Sequence, residues 1–365
     1  MIENKKIAVV VPAYNESKQI KMVIDSMPTF VDRIVIVNDR SKDDTGKIVL
    51  SCIKDDKTNV TPISIENKQV VPNKYNYADV VVCDINNKET DLYIPSEVVN
   101  KDSVKDRIVL INNLENGGVG AAIANGYKWC RDHNIDCTAV MAGDGQMDPD
   151  ELKSICNPVI YDDVDYVKGN RLIHKSARLV VPKVRFIGNS ILSMLTKIAS
   201  GYWHVSDTQT GYTAMSLRAL RAIELHKIYK KYGMPNDMLV KLNIAYCTIK
   251  EVEIKPIYKV GEESKMKIWK VIPSISKLLL KLFFVRLWKK YFIRDFHPLF
   301  LLYNLGLFLF IVSIPVTVKI LFKLFSGQNV SYQLLIIFIF LVISGFQSIF
   351  FAMWMDIQDN ERLYK

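Results

Sequence analysis

The 365-residue chain has no Cys-x-x-Cys pair. Its six cysteines (Cys52, Cys83, Cys130, Cys137, Cys156 and Cys247) are scattered, which argues against a structural zinc site or a disulfide framework and leaves reduced thiols as the expectation. No Gly-x-Gly-x-x-Gly follows the first apolar run, and no Gly-Lys-Ser/Thr occurs anywhere. Dinucleotide-dependent hydride transfer and P-loop hydrolysis therefore lack their main signatures. No apolar run of signal-peptide length precedes the first polar turn in MIENKKIAVVVPAYNE, so this segment reads as a first strand and not as an export signal.

Acidic residues are missing from one stretch in particular. Ser264 to Arg294 holds nine Lys/Arg and no Asp or Glu, which accounts for all but about one unit of the net charge of +10. The basic character is local and abuts the most apolar part of the chain, so the expected partner is a membrane surface and not nucleic acid. Charge then disappears: Pro298–Val318 and Ser331–Met355 contain no charged residue. Leu299–Val318 alone provides about 30 Å of helix, and each stretch is long enough to span a bilayer, with 319–330 as a polar break. Lys/Arg placement puts the large N-terminal part and the C-terminal tail on the cytoplasmic side of a cell membrane. Residues 277–296 mix Leu, Phe and Trp with regular Lys/Arg, the pattern of an interfacial amphipathic helix.

What precedes is of α/β type. The runs 7–14, 32–39, 106–113, 136–144 and 165–171 are short and rich in β-branched residues, with helical patterning between several of them, which predicts a mainly parallel sheet within 1–258. Residues 59–105 break this rhythm and read as an insertion, with a small hairpin around Tyr77–Ile85. Polar clusters end the strands: Pro12-Ala13-Tyr14-Asn15-Glu16, Asn38-Asp39-Arg40-Ser41, and Asp144-Gly145-Gln146-Met147-Asp148-Pro149. Asn116-Gly117-Gly118-Val119-Gly120 opens a helix. Each alone is turn chemistry. Four together at the carboxyl ends of strands point to a nucleotide crevice.

VVVPAYNE, IVIVNDRSKDDT, GGVGAAIANGY, MAGDGQMDPDEL, VKGNRL and DTQTGY resemble the ordered motifs of family-2 glycosyltransferases with the GT-A fold. They are most similar to the branch that transfers a sugar to a polyprenyl or dolichyl phosphate. The resemblance implies a GT-A domain over 1–258, a basic loop and interfacial helices over 259–296, and a two-helix membrane region over 297–365. It implies that Pro12, Tyr14, Glu16, Val37 and Asp39 hold the base and ribose, with Ala142, Gly143 and Asp144 completing that side and Lys259 and Lys265 closing over the diphosphate. Asn38 stands where the family has a second aspartate. The family's Asp-x-Asp is Ala142-Gly143-Asp144 here, leaving Asp144 and Gln146 as ligands for Mg²⁺ or Mn²⁺, a hard cation that takes the rest of its oxygen shell from phosphates. Asp148 reads as a helix cap.

On the acceptor side the resemblance implies Arg171 and Arg185, with Asn189 and Ser190, around a lipid phosphate. Asp207 and Gln209 shape the sugar pocket. Arg185 and Lys265 also read as parts of solvated or interfacial basic faces. Asp237 lies where related enzymes keep a base for hydroxyl acceptors, and equally at a helix start. The implied reaction is inverting transfer of one sugar from a nucleoside-diphosphate sugar, with UDP-GlcNAc or UDP-glucose preferred and GDP-mannose the alternative. Two further readings stay open, a polysaccharide synthase and a non-catalytic nucleotide-sugar binder; two spans and the lack of a Gln-x-x-Arg-Trp motif weigh against the first. Homo-oligomerisation is left open.

Overall fold

A computed structural model describes residues 2–58, 60–63, 71–257 and 268–365. In chain order the first half comprises β1 (Ile7–Ala13), α1 (Ile20–Asp25), β2 (Arg33–Asn38), α2 (Thr45–Asp55), α3 (Tyr77–Glu89), β3 (Ser96–Val98), β4 (Ile108–Asn113), α4 (Val119–Asp132) and β5 (Cys137–Val140). It continues with α5 (Leu152–Tyr161), β6 (Tyr166–Asn170), α6 (Ala177–Val180), α7 (Lys183–Ser200), β7 (Thr213–Ser216), α8 (Leu217–Ala222), α9 (Met234–Ile244) and β8 (Ile249–Glu253). Three long helices follow: α10 (Ile268–Trp288), α11 (Pro298–Phe325) and α12 (Tyr332–Glu361).

The strands form one mixed sheet in the order β3-β4-β2-β1-β5-β7-β6-β8. The centre is parallel, β4-β2-β1-β5, and β6-β8 is a second parallel pair. The short strand β7, absent from the sequence reading, runs antiparallel between β5 and β6. β1 and β2 are β-branched and buried almost throughout, as strands covered on both faces must be. The period-2 alternation splits their side chains cleanly. Ala8, Val10, Val35 and Val37 pack with α4 and α9, while Ile7, Val9, Val11, Ile34 and Ile36 pack with α1, α2 and α5.

The hairpin expected around Tyr77–Ile85 is instead helix α3. Val80–Val82 and Tyr77 carry strand propensity, but an isolated hairpin needs a third strand or a packing face, and α3 makes its tie through Glu89 to Arg131 of α4. Arg33, fully buried, donates to the carbonyls of Thr61 and Val104 and so pins both sides of the insertion to β2.

α11 and α12 are long and apolar enough to cross a membrane, and only 17% of each apolar window is buried, unlike the core helix of a soluble fold. α11 runs on through Lys319 and Lys323 to Phe325, so the break between the helices is shorter than the charge pattern implied. The chain then returns to the sheet. Ile249 donates to the Leu363 carbonyl and Lys365 to that of Ile249, with Leu363 seated in the core. Both ends of the α11–α12 hairpin are therefore held on the side of the α/β domain. Leu363→Ala should cost about 2–4 kcal/mol of stability by chemical unfolding, although it lies two residues from the C-terminus.

Candidate active site

Parallel strands deliver their following loops to one edge, and the register shows which residues meet there. Pro12 pairs with Val37 and Ala13 with Asn38, and Val37 with Ile111. Beyond β5, Gly143 packs against the Pro12 carbonyl. The loops after β1 and β2 are stitched together. The Asn15 amide donates to Ser41 Oγ at 3.0 Å and that of Glu16 to Thr45 Oγ1 at 2.9 Å. The Lys42 amide donates to Asn15 Oδ1. Asn15 and Arg40 both sit at φ 57°, a conformation tolerated by few side chains outside Gly, Asn and Asp. Tyr14 is left 38% exposed beside this seam.

Asp39 is buried. Its Oδ1 accepts from Asn113 Nδ2 (2.8 Å) and the Gly117 amide (2.9 Å), and its Oδ2 from the Gly118 amide (2.8 Å). The Gly117-Gly118 turn is thereby spent on holding Asp39. Gly118, at φ 82°, could not be another residue, since a Cβ would lie 2.6 Å from the Lys230 carbonyl.

In the metal motif, Asp144 Oδ1 accepts from the Gln146 amide at 3.0 Å. Asp148 behaves as the sequence implied: Oδ1 caps the Asp150 amide and Oδ2 pairs with Lys255. Among the described residues no cluster of three or more His, Cys, Asp or Glu could hold a metal. Asp144 and Gln146 thus fit a hard cation that arrives with most of its ligands, as one bound to a nucleoside diphosphate does, and not a self-sufficient site.

The same edge carries the other half of the site. Arg171, just after β6, forks onto the fully buried Asp207 through Nε (2.8 Å) and Nη2 (3.1 Å), and its amide also donates there. Asp207 is therefore the counter-ion that orients Arg171. Gln209 Nε2 donates to Asn236 Oδ1 at 2.8 Å. The two halves touch: Tyr212 OH donates to the Asp148 carbonyl (2.9 Å), and the Gly169 amide to that of Tyr212. A cleft of about 270 Å³ is lined by Leu172, the residue after Arg171, and Ser206 on one side and Phe186, Ser190, Ser193, Met194 and Lys197 of α7 on the other.

Asn189 and Ser190 lie on α7. Arg185 is in the same helix, but its side chain lies outside the described residues, as do Lys259 and Lys265 altogether. Asp237 is nearly buried, accepting from the Tyr229 amide at 2.8 Å and ion-paired with Lys241, an engagement that suits a structural acid. Two residues that the motifs did not flag sit under the acceptor half. Lys168 is fully buried and donates to the Thr210 carbonyl at 2.5 Å; Glu251 accepts from the Ser206 and Asp207 amides and Asn170. Neither carries a local sequence signal of this placement.

A family model described as glycosyl transferase family 2 matches residues 8–78 and 73–224, more than half of the chain. The chain belongs to that family. It is a glycosyltransferase, and its mixed sheet is the GT-A domain that the motifs implied. One relative is the UDP-N-acetylglucosamine–dolichyl-phosphate N-acetylglucosaminyltransferase of Methanococcus voltae, 29% identical over 70% of this chain and 87% of that protein. Another is the undecaprenyl-phosphate mannosyltransferase of Micrococcus luteus, 28% identical over 43% of this chain and 64% of that protein. Glucosyl-3-phosphoglycerate synthase from Mycobacterium tuberculosis with Mn²⁺, UDP and phosphoglyceric acid aligns over 78% of each chain at 15% identity and a TM-score of 0.46, a likeness too loose to argue from.

Two outcomes follow from the buried groups. Asp39→Ala strands the Asn113, Gly117 and Gly118 donors; we expect about 2–3 kcal/mol lost in unfolding experiments and weaker nucleotide binding by calorimetry. Burial lowers the Lys168 pKa to about 8 from 10.5, against the opposing pull of Asp207 and Glu251. Below pH 8 the folded state carries a confined charge, and the unfolded state binds more protons between 8 and 10.5. Wild-type stability relative to Lys168→Met should accordingly rise across that window, by roughly 1–3 kcal/mol in thermal unfolding.

Proposed function

We propose that this glycosyltransferase moves one sugar, with inversion, from a nucleoside-diphosphate sugar to a polyprenyl or dolichyl phosphate at the cytoplasmic face of a cell membrane. The observation that carries this reading is the shared edge of the sheet. The loop that carries Asp144 and Gln146, suited to a diphosphate-bound cation, is joined at Asp148 to Tyr212 in the segment that follows Asp207, the partner of Arg171, and the cleft lined by Leu172 is walled by α7. That helix exposes Ile187, Ile191 and Met194 to its surroundings, an apolar face that suits a lipid acceptor. The names of the Methanococcus and Micrococcus relatives support the polyprenyl phosphate class. UDP-GlcNAc is the favoured donor, with UDP-glucose second and GDP-mannose the alternative.

The chemistry asks little of a base. A phosphate monoester is already anionic at pH 7, so its oxygen attacks the anomeric carbon without giving up a proton. The residues here act by placement and charge. Arg171, held by Asp207, offers planar donors to the acceptor phosphate. Arg185, Asn189 and Ser190 belong to the helix alongside it. Pro12, Tyr14, Glu16, Val37 and Asp39 seat the nucleoside. Asp144 and Gln146 would hold Mg²⁺ or Mn²⁺, which neutralises charge on the departing diphosphate. Asp237, tied to Lys241 and the Tyr229 amide, has no proton to take. The α11–α12 hairpin crosses the bilayer twice, keeping both termini and the catalytic domain cytoplasmic.

The test is transfer of labelled sugar from UDP-GlcNAc, UDP-glucose and GDP-mannose to a short polyprenyl phosphate, with and without Mn²⁺. Monoglycosylated lipid is expected. Polymer would favour a synthase, and binding without turnover a non-catalytic role. Asp144→Ala should lower kcat by about 10²–10³-fold, and Asp237→Asn should leave it within a few-fold of wild type.

A further inference from the structure

We infer that the two apolar helices do more than anchor the enzyme: through a buried ionic junction they fix the helix that walls the acceptor cleft. The inference rests on the Proposed function for the identity of the acceptor. Arg286 of α10 is completely buried, and so is Asp356 near the end of α12. The guanidinium forks onto that carboxylate with both contacts at 2.7 Å. Its other donors go to α7: Nε to the Ala199 carbonyl and Nη2 to that of Ile198, each at 3.0 Å. The last carbonyls of a helix have no partner within it, so one side chain caps α7 and binds it to α12. Gly201 makes the approach feasible. It sits at φ 79°, and a Cβ there would lie 2.4 Å from Arg286 Nη1.

A second clamp reaches α9. Lys290 Nζ donates to Asn243 Oδ1 (3.2 Å) and Asn360 Oδ1 (2.6 Å), and Asn243 Nδ2 donates to the same Asn360 oxygen (2.7 Å). Tyr291 OH donates to Asp356 Oδ1 at 2.7 Å. α7 and α9 are thus gripped at their C-terminal ends by the end of α12. Their opposite halves carry Asn189 and Ser190, and Asn236, which holds Gln209. The two helices are also joined directly, Thr196 Oγ1 donating to Asn236 Oδ1. The junction's hydrogen bonds run to α7 and α9, whereas the nucleotide half of the site is built on the loops after β1, β2 and β5. Arg286 and Asp356 are therefore positioning residues for the acceptor and not for the donor.

The experiment separates this from mere stabilisation. Replacing both partners of a buried ion pair by apolar residues is often neutral for stability, whereas removing one is not. The full-length chain, in nanodiscs, is compared as wild type, Arg286→Lys and the double variant Arg286→Leu/Asp356→Leu. We expect the double variant to keep the wild-type Tm within a few degrees and UDP affinity within twofold, while KM for the polyprenyl phosphate rises about tenfold or more. Arg286→Lys, which keeps the charge but not the fork, should share the raised KM. An unchanged acceptor KM overturns the inference, as does a matching loss of UDP affinity. If the double variant fails to fold, Asp356→Asn carries the same comparison. Wild-type enzyme that transfers no sugar to the lipid would sink the Proposed function instead. Hydrogen exchange across 183–200 then decides: faster exchange in the double variant upholds the junction, and no change refutes it.

Discussion

A carboxylate removed from water must find donors that replace its hydration, or it costs several kcal/mol. Asp39 and Asp207 are both buried, and the way each is satisfied lays out the site. Asp39 gathers Asn113 and the Gly117-Gly118 turn, which fixes the start of α4 against the ends of β1 and β2. Asp207 gathers Arg171 and sits in turn on Glu251, which holds its amide. One carboxylate organises the loops after β1, β2 and β4, and the other holds Arg171 after β6. The sheet brings the two together because β5 and β6 end at the same edge with the turn into β7 between them.

The membrane end obeys the same rule at greater depth. The Arg286–Asp356 pair is removed from solvent altogether, and its spare donors cap α7. Because the carbonyls at a helix end need partners, capping and anchoring become one interaction. The α/β domain and the apolar hairpin are further joined by the last residues, which pair with β8.

Much of this was legible in the sequence. The strand runs 7–14, 32–39, 106–113, 136–144 and 165–171 are found as β1, β2, β4, β5 and β6, because apolar β-branched runs between polar turns have few other ways to bury both faces. The uncharged stretches are found as α11 and α12, because a helix satisfies its own backbone groups over a long apolar run. β3, β7 and β8 were missed: Ser96–Val98 and Thr213–Ser216 are three and four residues, too short for a period to register, and IKEVE mixes charge into an edge strand. The helix at Tyr77–Glu89 was misread because Val80–Val82 looks like a strand until its neighbours are known. In the site, Pro12, Val37, Asp39, Gly143 and Asp144 were named from their motifs, and the structure puts Pro12 beside Val37 and Gly143. Lys168, Glu251 and Asn236 were not, since nothing in their local sequence says that they lie beneath Asp207 and Gln209.

What the amino-acid order determined by itself was periodicity and composition: which segments alternate, which are uncharged, where the basic run lies, and which polar residues close a strand. Those are local properties, set by the pleat of a strand and the greasiness of a helix. Pairing was decided by the tertiary structure alone. Which carboxylate pairs with Arg171, which pairs with Lys241, and whether Arg286 lies on a membrane or inside the protein depend on contacts between residues 4 to 88 positions apart. A charged side chain is interpretable only once its counter-charge is in place, and the counter-charges here come from other elements of the fold or from another turn of the same helix.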